Sequence, residues 1–258
     1  MGGPMTEESP HTRANRESWN ATSRKYQASH RAELEGDLLW GPSMPPEREL
    51  SVLGSVAGKD ILEIACGDGQ SAVYLAERGA RVTGLDFSSG QLDHARAFAR
   101  SKNVEIRLIE SNVEDLSMLE DARFDIAFSA YALGFVEHVR EAFREIGRVL
   151  RPGGLFAFSW ASPMYGITED GGLGITRSYF DRSPFIDTDE DGTEVAFHRT
   201  YGDWHRDLTD AGFVVTEILE PEPVPTESTY ADIFPLAKIR MIPGTTIWRA
   251  RRPRRLEL

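Results

Sequence analysis

The sequence predicts an α/β protein: an open, mostly parallel β-sheet with helices on both faces. Three observations carry that prediction. From Asp60 to Gln70 an apolar run (Ile61, Leu62, Ile64) breaks at Gly67 and Gly69, and a helical pattern follows through Ala72, Val73, Leu75 and Ala76. About 20 residues beyond that turn a second β-type run, Ala80 to Asp86, ends in a carboxylate. Strand and helix patterns then keep alternating as far as Trp160, and such alternation specifies parallel pairing through crossover helices.

The first strand–turn–helix sets the chemistry. Glycines at the turn let a ligand approach the backbone, and the free N–H groups of the helix start favour polar or anionic ligand groups. Glu63 adds a carboxylate facing the turn. That acceptor repels a pyrophosphate and suits an ammonium, so the expected ligand is a nucleoside carrying a cationic amino acid. Gly67-x-Gly69-x-x-Ala72 alone also fits a dinucleotide fingerprint. Asp86, at the end of the second strand, is placed to accept both hydroxyls of a ribose, which either ligand provides.

Further along, Ser88-Ser89-Gly90-Gln91 caps a helix carrying Leu92, Ala95, Phe98 and Ala99. Val104 to Ile109 reads as a strand and leads into Glu110-Ser111-Asn112-Val113-Glu114-Asp115-Leu116. Phe124 to Ser129 is the fourth strand, followed by a helix through Val139, Ala142, Phe143, Ile146, Val149 and Leu150. An Arg151-Pro152-Gly153-Gly154 turn and the strand Leu155 to Trp160 close the run.

Over residues 55 to 160 these segments resemble the class I S-adenosylmethionine-dependent methyltransferases. Glu63-x-Ala65-x-Gly67-x-Gly69 is similar to that family's acidic-x-Gly-x-Gly-x-Gly motif, with Ala65 in place of the first glycine. The stretch from Glu110 to Leu116 resembles its adenine-bordering segment, with Asn112 where Asp is usual, and the Leu-Arg-Pro-Gly-Gly turn is characteristic of it. The resemblance implies a Rossmann-like sheet of seven strands, the last antiparallel, completed by Phe213 to Leu219 and Thr245 to Ala250. It implies S-adenosyl-L-methionine as cofactor and S-adenosyl-L-homocysteine as product. The expected cofactor contacts are Glu63, Ala65, Gly67, Gly69, Asp86, Phe87, Gln91, Asn112, Val113 and Ser129. Asn112 would offer its carbonyl to the adenine amine, and Val113 its backbone N–H and an apolar wall. Tyr26, Trp40 and Gly41 are candidates for an aromatic lid over the cofactor, with plain core packing as the alternative for each.

The rest of the chain divides around that core. Residues 1 to 14 are polar and expected to be a disordered tail, 15 to 54 a helical lid, and 201 to 252 the remainder of the sheet. Residues 161 to 200, rich in Gly, Asp, Ser and Thr with interspersed aromatics, are expected to form an insertion with a short antiparallel pair, roofing the substrate. Residues 221 to 243 are a second variable loop.

Methyl transfer from a sulfonium mainly requires alignment and exclusion of water, with a base only where the acceptor must lose a proton. His198 is the candidate base, with a structural histidine as its alternative. Tyr131 is the candidate for orienting the acceptor, and Tyr179 and His138 are candidate substrate contacts.

Composition narrows the partners. A net charge of -12 argues against nonspecific nucleic-acid binding, and the terminal arginines Arg249 to Arg255 read as a solvated run. One cysteine, Cys66, excludes an internal disulfide and fits a cytoplasmic location; no metal-ligating spacing and no export or membrane segment is visible. The sequence reading is thus a monomeric or homodimeric enzyme acting on a small molecule, in the manner of enzymes that tailor secondary metabolites. Its rivals are a cofactor-binding protein that transfers no methyl group, either a regulator or a cyclase, and, more remotely, an NAD-dependent oxidoreductase.

Overall fold

A computed structural model describes residues 8–34, 36–169, 171–225 and 229–254, with the side chains of 31–34 outside the description. The strands are β1 (Asp60–Ile64), β2 (Arg81–Asp86), β3 (Arg107–Glu110), β4 (Phe124–Ser129), β5 (Leu150–Ala161), β6 (Phe185–Thr188), β7 (Thr193–Ala196), β8 (Val214–Leu219) and β9 (Thr245–Arg251). The helices are α1 (Pro10–Leu34), α2 (Glu47–Leu50), α3 (Gln70–Glu77), α4 (Ser89–Lys102), α5 (Val139–Val149), α6 (Tyr201–Asp210) and α7 (Leu236–Ile239). Seven strands form one sheet in the order β3-β2-β1-β4-β5-β9-β8, while β6 and β7 pair separately as a hairpin. β9 runs antiparallel between β5 and β8, and the other pairings from β3 to β5 are parallel. This is the seven-stranded Rossmann-like sheet the sequence implied.

Each face of the sheet buries its own apolar cluster. Phe124, Phe143, Phe156, Phe158, Trp204 and Trp248 pack on one side; Leu38, Trp40, Leu53, Ile61, Phe128 and Ile247 pack on the other. All five residues of β1 are buried, as a central strand covered on both faces must be. Strand order reverses between β1 and β4, and open α/β sheets bind ligands at the carboxyl edge beside such a switch point. At the opposite edge Asp60 receives Arg81 at 2.7 Å and Arg123 and Arg151 at 3.0 Å, which holds its carboxyl well below the usual range.

Four local expectations change. Residues 10–14 belong to α1 and not to a disordered tail; of that tail, 1–7 lie outside the described residues. Ser9 caps this helix, its hydroxyl accepting from the Thr12 N–H at 3.1 Å, and Pro10 occupies the first turn where its missing N–H costs nothing. The third strand starts at Arg107, three residues later than expected. The Arg-Pro-Gly-Gly turn lies inside the long β5, where the register to β4 shifts between Phe124 and Ile126 and Gly153 takes φ +82°. Residues 161–200 contain the expected hairpin, but it docks against α1 through β7.

That docking rests on a polar contact. Asn15, fully buried, donates to the Val195 carbonyl at 2.9 Å and accepts from the Val195 N–H at 2.6 Å. It also donates to the Phe135 carbonyl at 3.2 Å. Asn15→Ala leaves two buried backbone groups of Val195 and the half-buried Phe135 carbonyl short of a partner and is expected to cost about 2–4 kcal/mol of stability. Denaturant unfolding checks this; a change under roughly 0.5 kcal/mol, the usual range for surface substitutions, would show that other contacts hold α1.

Candidate functional site

A cavity of about 400 Å³ opens at the carboxyl edge of the sheet, between the ends of β1, β2 and β4 and the covering α1. The β1 turn forms its floor. Ala65 adopts φ +53° and Gly67 φ +50°, a left-handed pair that directs the loop around the opening. Ala65 thus holds a glycine-like conformation with a Cβ attached, which costs on the order of 1 kcal/mol. An added Cβ at Gly67 would meet nothing within 4 Å, so that backbone lies open to a ligand. Gly69 does not line the cavity. Its φ of +74° starts α3, and a Cβ there would stand 2.9 Å from the Ala95 Cβ, so it serves the α3–α4 approach.

Carboxylates gather at this end. Asp86 accepts from the Gly67 N–H and the Ser88 N–H, each at 2.8 Å, and burial pushes its carboxyl up to about 6. Glu63 is buried with Oε2 lacking a hydrogen-bond partner; burial, then Asp68 and Asp86, raises its carboxyl well above the ordinary range. Asp68 is raised as well, mainly by burial. Gln91 Oε1 is a further buried oxygen without a partner. A cation with hydrogen-bond donors relieves this arrangement, because it neutralises the crowded carboxylates and satisfies the orphaned oxygens.

Of the expected contacts, Tyr26, Gly41, Glu63, Ala65, Gly67, Asp86, Phe87, Gln91, Asn112, Val113 and Tyr131 line the cavity. Asn112 accepts from the Glu114 N–H at 3.1 Å through its side-chain carbonyl, which fixes its turn and leaves a second lone pair on that oxygen. Tyr131 holds φ +57° with its hydroxyl buried, and its N–H donates to Ser159 Oγ at 3.0 Å. Backbone strain of that kind persists only where the surroundings fix it, here at the base of the cavity.

Besides Gly69, five expected residues lie elsewhere. Trp40 is fully buried in the core, its indole N–H donating to Glu47 at 2.8 Å, so the lid role falls away and the packing alternative holds. Ser129 is sealed inside the sheet end. His138 is exposed and precedes α5. His198 is buried outside the cavity with Nε2 at 3.0 Å from the Tyr179 carbonyl, and burial lowers its basicity. The Tyr179 ring packs edge-on against His198, and its hydroxyl faces the N-terminus of α6. Among the described residues of 161–200 only Glu194 reaches the cavity. The roof is instead built by Thr12, Trp19 and Tyr26 of α1 with Tyr230, Ile233 and Phe234 of the second loop.

Apart from Tyr26, sequence reasoning missed those roof residues. α1 buries Thr12, Asn15, Ser18 and Ser23, a polar face invisible to hydrophobic periodicity. The 230–234 segment is placed by contacts remote in sequence: Tyr165 stacks on Phe234 at 4.7 Å and its hydroxyl donates to the Ile233 carbonyl. The Tyr26 and Tyr230 hydroxyls meet at 2.5 Å across the opening. Among the described residues no cluster of metal-ligating side chains occurs, and no helix is long and apolar enough to cross a membrane.

Comparison with known proteins agrees with this geometry. Residues 62–158 match the family model described as a methyltransferase domain. The crystal structure of an S-adenosylmethionine-dependent methyltransferase from Mesorhizobium loti superposes with a TM-score of 0.66 at 29% identity, covering 79% of this chain and 95% of that one. The chain is 36% identical to a ubiquinone biosynthesis O-methyltransferase of Alkalilimnicola ehrlichii over 107 residues, 42% of this chain and 43% of that protein. It is 37% identical to an S-adenosyl-L-methionine-dependent Diels-Alderase of Talaromyces variabilis over 114 residues, 43% of this chain and 39% of that protein. It therefore spans less than half the length of these two relatives. These likenesses support a class I S-adenosylmethionine-dependent methyltransferase and imply S-adenosylmethionine as the cofactor.

Proposed function

We propose that the protein transfers the methyl group of S-adenosylmethionine to a small organic molecule, as a tailoring step of secondary metabolism. The observation that carries this reading is the continuity of the cavity. Glu63, Gly67 and Asp86, which would form an acidic end, line one and the same cavity as Trp19, Tyr131, Phe135 and Trp160, which would form an aromatic end. Glu63 and the β1 turn would hold the amino acid portion of the cofactor, Asp86 its ribose, and Val113 with Phe87 its base. The sulfonium supplies an already activated methyl group. The aromatic walls then have to seat an acceptor and exclude water.

S-adenosylmethionine and S-adenosylhomocysteine are expected to bind with micromolar-scale affinity in calorimetry, and NAD not at all. A pyrophosphate would face Glu63, Asp68 and Asp86 with no described Lys, Arg or His along the cavity wall. Tighter binding of NAD than of S-adenosylhomocysteine would overturn the assignment.

A second reading is kept because one of the two relatives above is a Diels-Alderase. In that case the bound sulfonium acts without transfer. Incubation with cofactor labelled on the methyl group separates the readings: a transferase forms S-adenosylhomocysteine and labelled product, a cyclase neither.

A further inference from the structure

We propose that the methyl acceptor is an amine on a flat apolar body, and that Glu194 is the group that binds it and takes its proton. The inference rests on the methyltransferase reading and names the substrate class for the same cavity.

Charge supplies the first reason. Among the described residues lining the cavity none is Lys, Arg or His, whereas Glu194 and the carboxylates of the cofactor end all face it. An acceptor carboxylate or phosphate would find no countercharge among the described side chains of this wall, whereas an ammonium would be drawn to them.

Geometry supplies the second. Glu194 stands on β7 beside Val195, which Asn15 bridges through both backbone groups while also holding the Phe135 carbonyl. Ser18, next to Trp19 on α1, donates to Glu194 Oε1 at 3.3 Å. The carboxylate is thereby fixed at the aromatic end. The same cavity is lined by a run of aromatic rings packed edge to face: Trp19 lies 5.9 Å from Phe135 and 5.5 Å from Tyr26, and Phe135 lies 5.0 Å from Trp160. Aromatic rings lining a cavity that also holds a carboxylate attract an organic cation through their quadrupoles and cover its apolar body. Burial, with help from Asp187 and Asp189, raises the Glu194 carboxyl above its ordinary range, which improves it as a proton acceptor.

The proton count closes. The ammonium gives one proton to the Glu194 carboxylate, which becomes the neutral acid. The freed nitrogen lone pair takes the methyl group, and the sulfur keeps the electron pair of the broken bond as a neutral thioether. The product nitrogen carries the positive charge that the sulfonium brought in.

The test uses the full chain saturated with S-adenosylhomocysteine and three probes sharing one ring system: tryptamine, tryptophol and indole-3-propionate. Calorimetry is expected to show tryptamine binding at least tenfold more tightly than the acid. Glu194→Gln should weaken tryptamine at least tenfold while tryptophol and S-adenosylhomocysteine change less than threefold. Equal binding of acid and amine by the wild type, an amine affinity indifferent to the substitution, or no saturable amine binding would each overturn the proposal. The wild-type comparison stands even if the variant folds poorly. If the wild type fails to bind S-adenosylhomocysteine, the methyltransferase reading falls first and this inference with it.

Discussion

Asp86→Ala is expected to weaken S-adenosylmethionine binding by about 2–3 kcal/mol, roughly 30- to 160-fold, the loss associated with charge-assisted hydrogen bonds to a pair of hydroxyls. Asp86 also closes the β1 turn by accepting from the Gly67 N–H, so part of the loss comes from a floor no longer held in shape. A pH dependence accompanies it. The carboxyl is raised to about 6 by burial, so raising the pH from 5 to 7 converts it to the anion that a cationic, hydroxyl-bearing ligand prefers. Wild-type affinity should therefore gain about tenfold over that interval, and Asp86→Ala should remove the part of the gain centred near pH 6. Stability of the ligand-free protein runs the other way. A carboxyl whose folded value is raised favours folding below its ordinary value, and that contribution is lost as the pH climbs toward 6. Titration calorimetry at pH 5 and pH 7 measures both variants; an unchanged dissociation constant would reduce Asp86 to a turn-forming residue.

Gly134→Ala should destabilise the protein by up to about 3 kcal/mol, the upper range for overpacking a well-filled site, and should suppress methyl transfer more than cofactor binding. A Cβ at Gly134 would lie 1.8 Å from Cε2 of Trp160. Relief requires the indole to tilt, and Trp160 is held between Phe135 and Tyr131, each with its ring centre 5.0 Å away. The Gly134 carbonyl also accepts from the Phe197 N–H at 2.8 Å, which limits backbone retreat. The distortion lands in the aromatic end and spares the turn at Glu63 and Asp86. A lowered melting temperature, with S-adenosylhomocysteine affinity kept within about threefold and turnover reduced at least tenfold, is the expected pattern. Proportional loss of cofactor affinity and turnover would mean that the two ends of the cavity are mechanically one.

Chain order and local chemistry determined the cofactor half of this protein. Ile61 to Gly69 is strand, turn and helix start in one unbroken stretch, and Asp86 ends the next strand, so parallel pairing of β1 with β2 brings the two carboxylates together automatically. Periodicity reports such segments because their burial follows a regular strand or helix period. The acceptor half was decided by tertiary structure. His198 and Tyr179 had the right residue types in the right loop, yet the hairpin swings them away from the cavity and presents Glu194, since Asn15 pins Val195 from a helix 180 residues earlier in the chain. Trp40, aromatic and near a glycine, sinks into the core because Glu47 satisfies its indole N–H there. Contacts of this kind join polar or isolated residues across long sequence separations, where no local pattern marks which partner each will find.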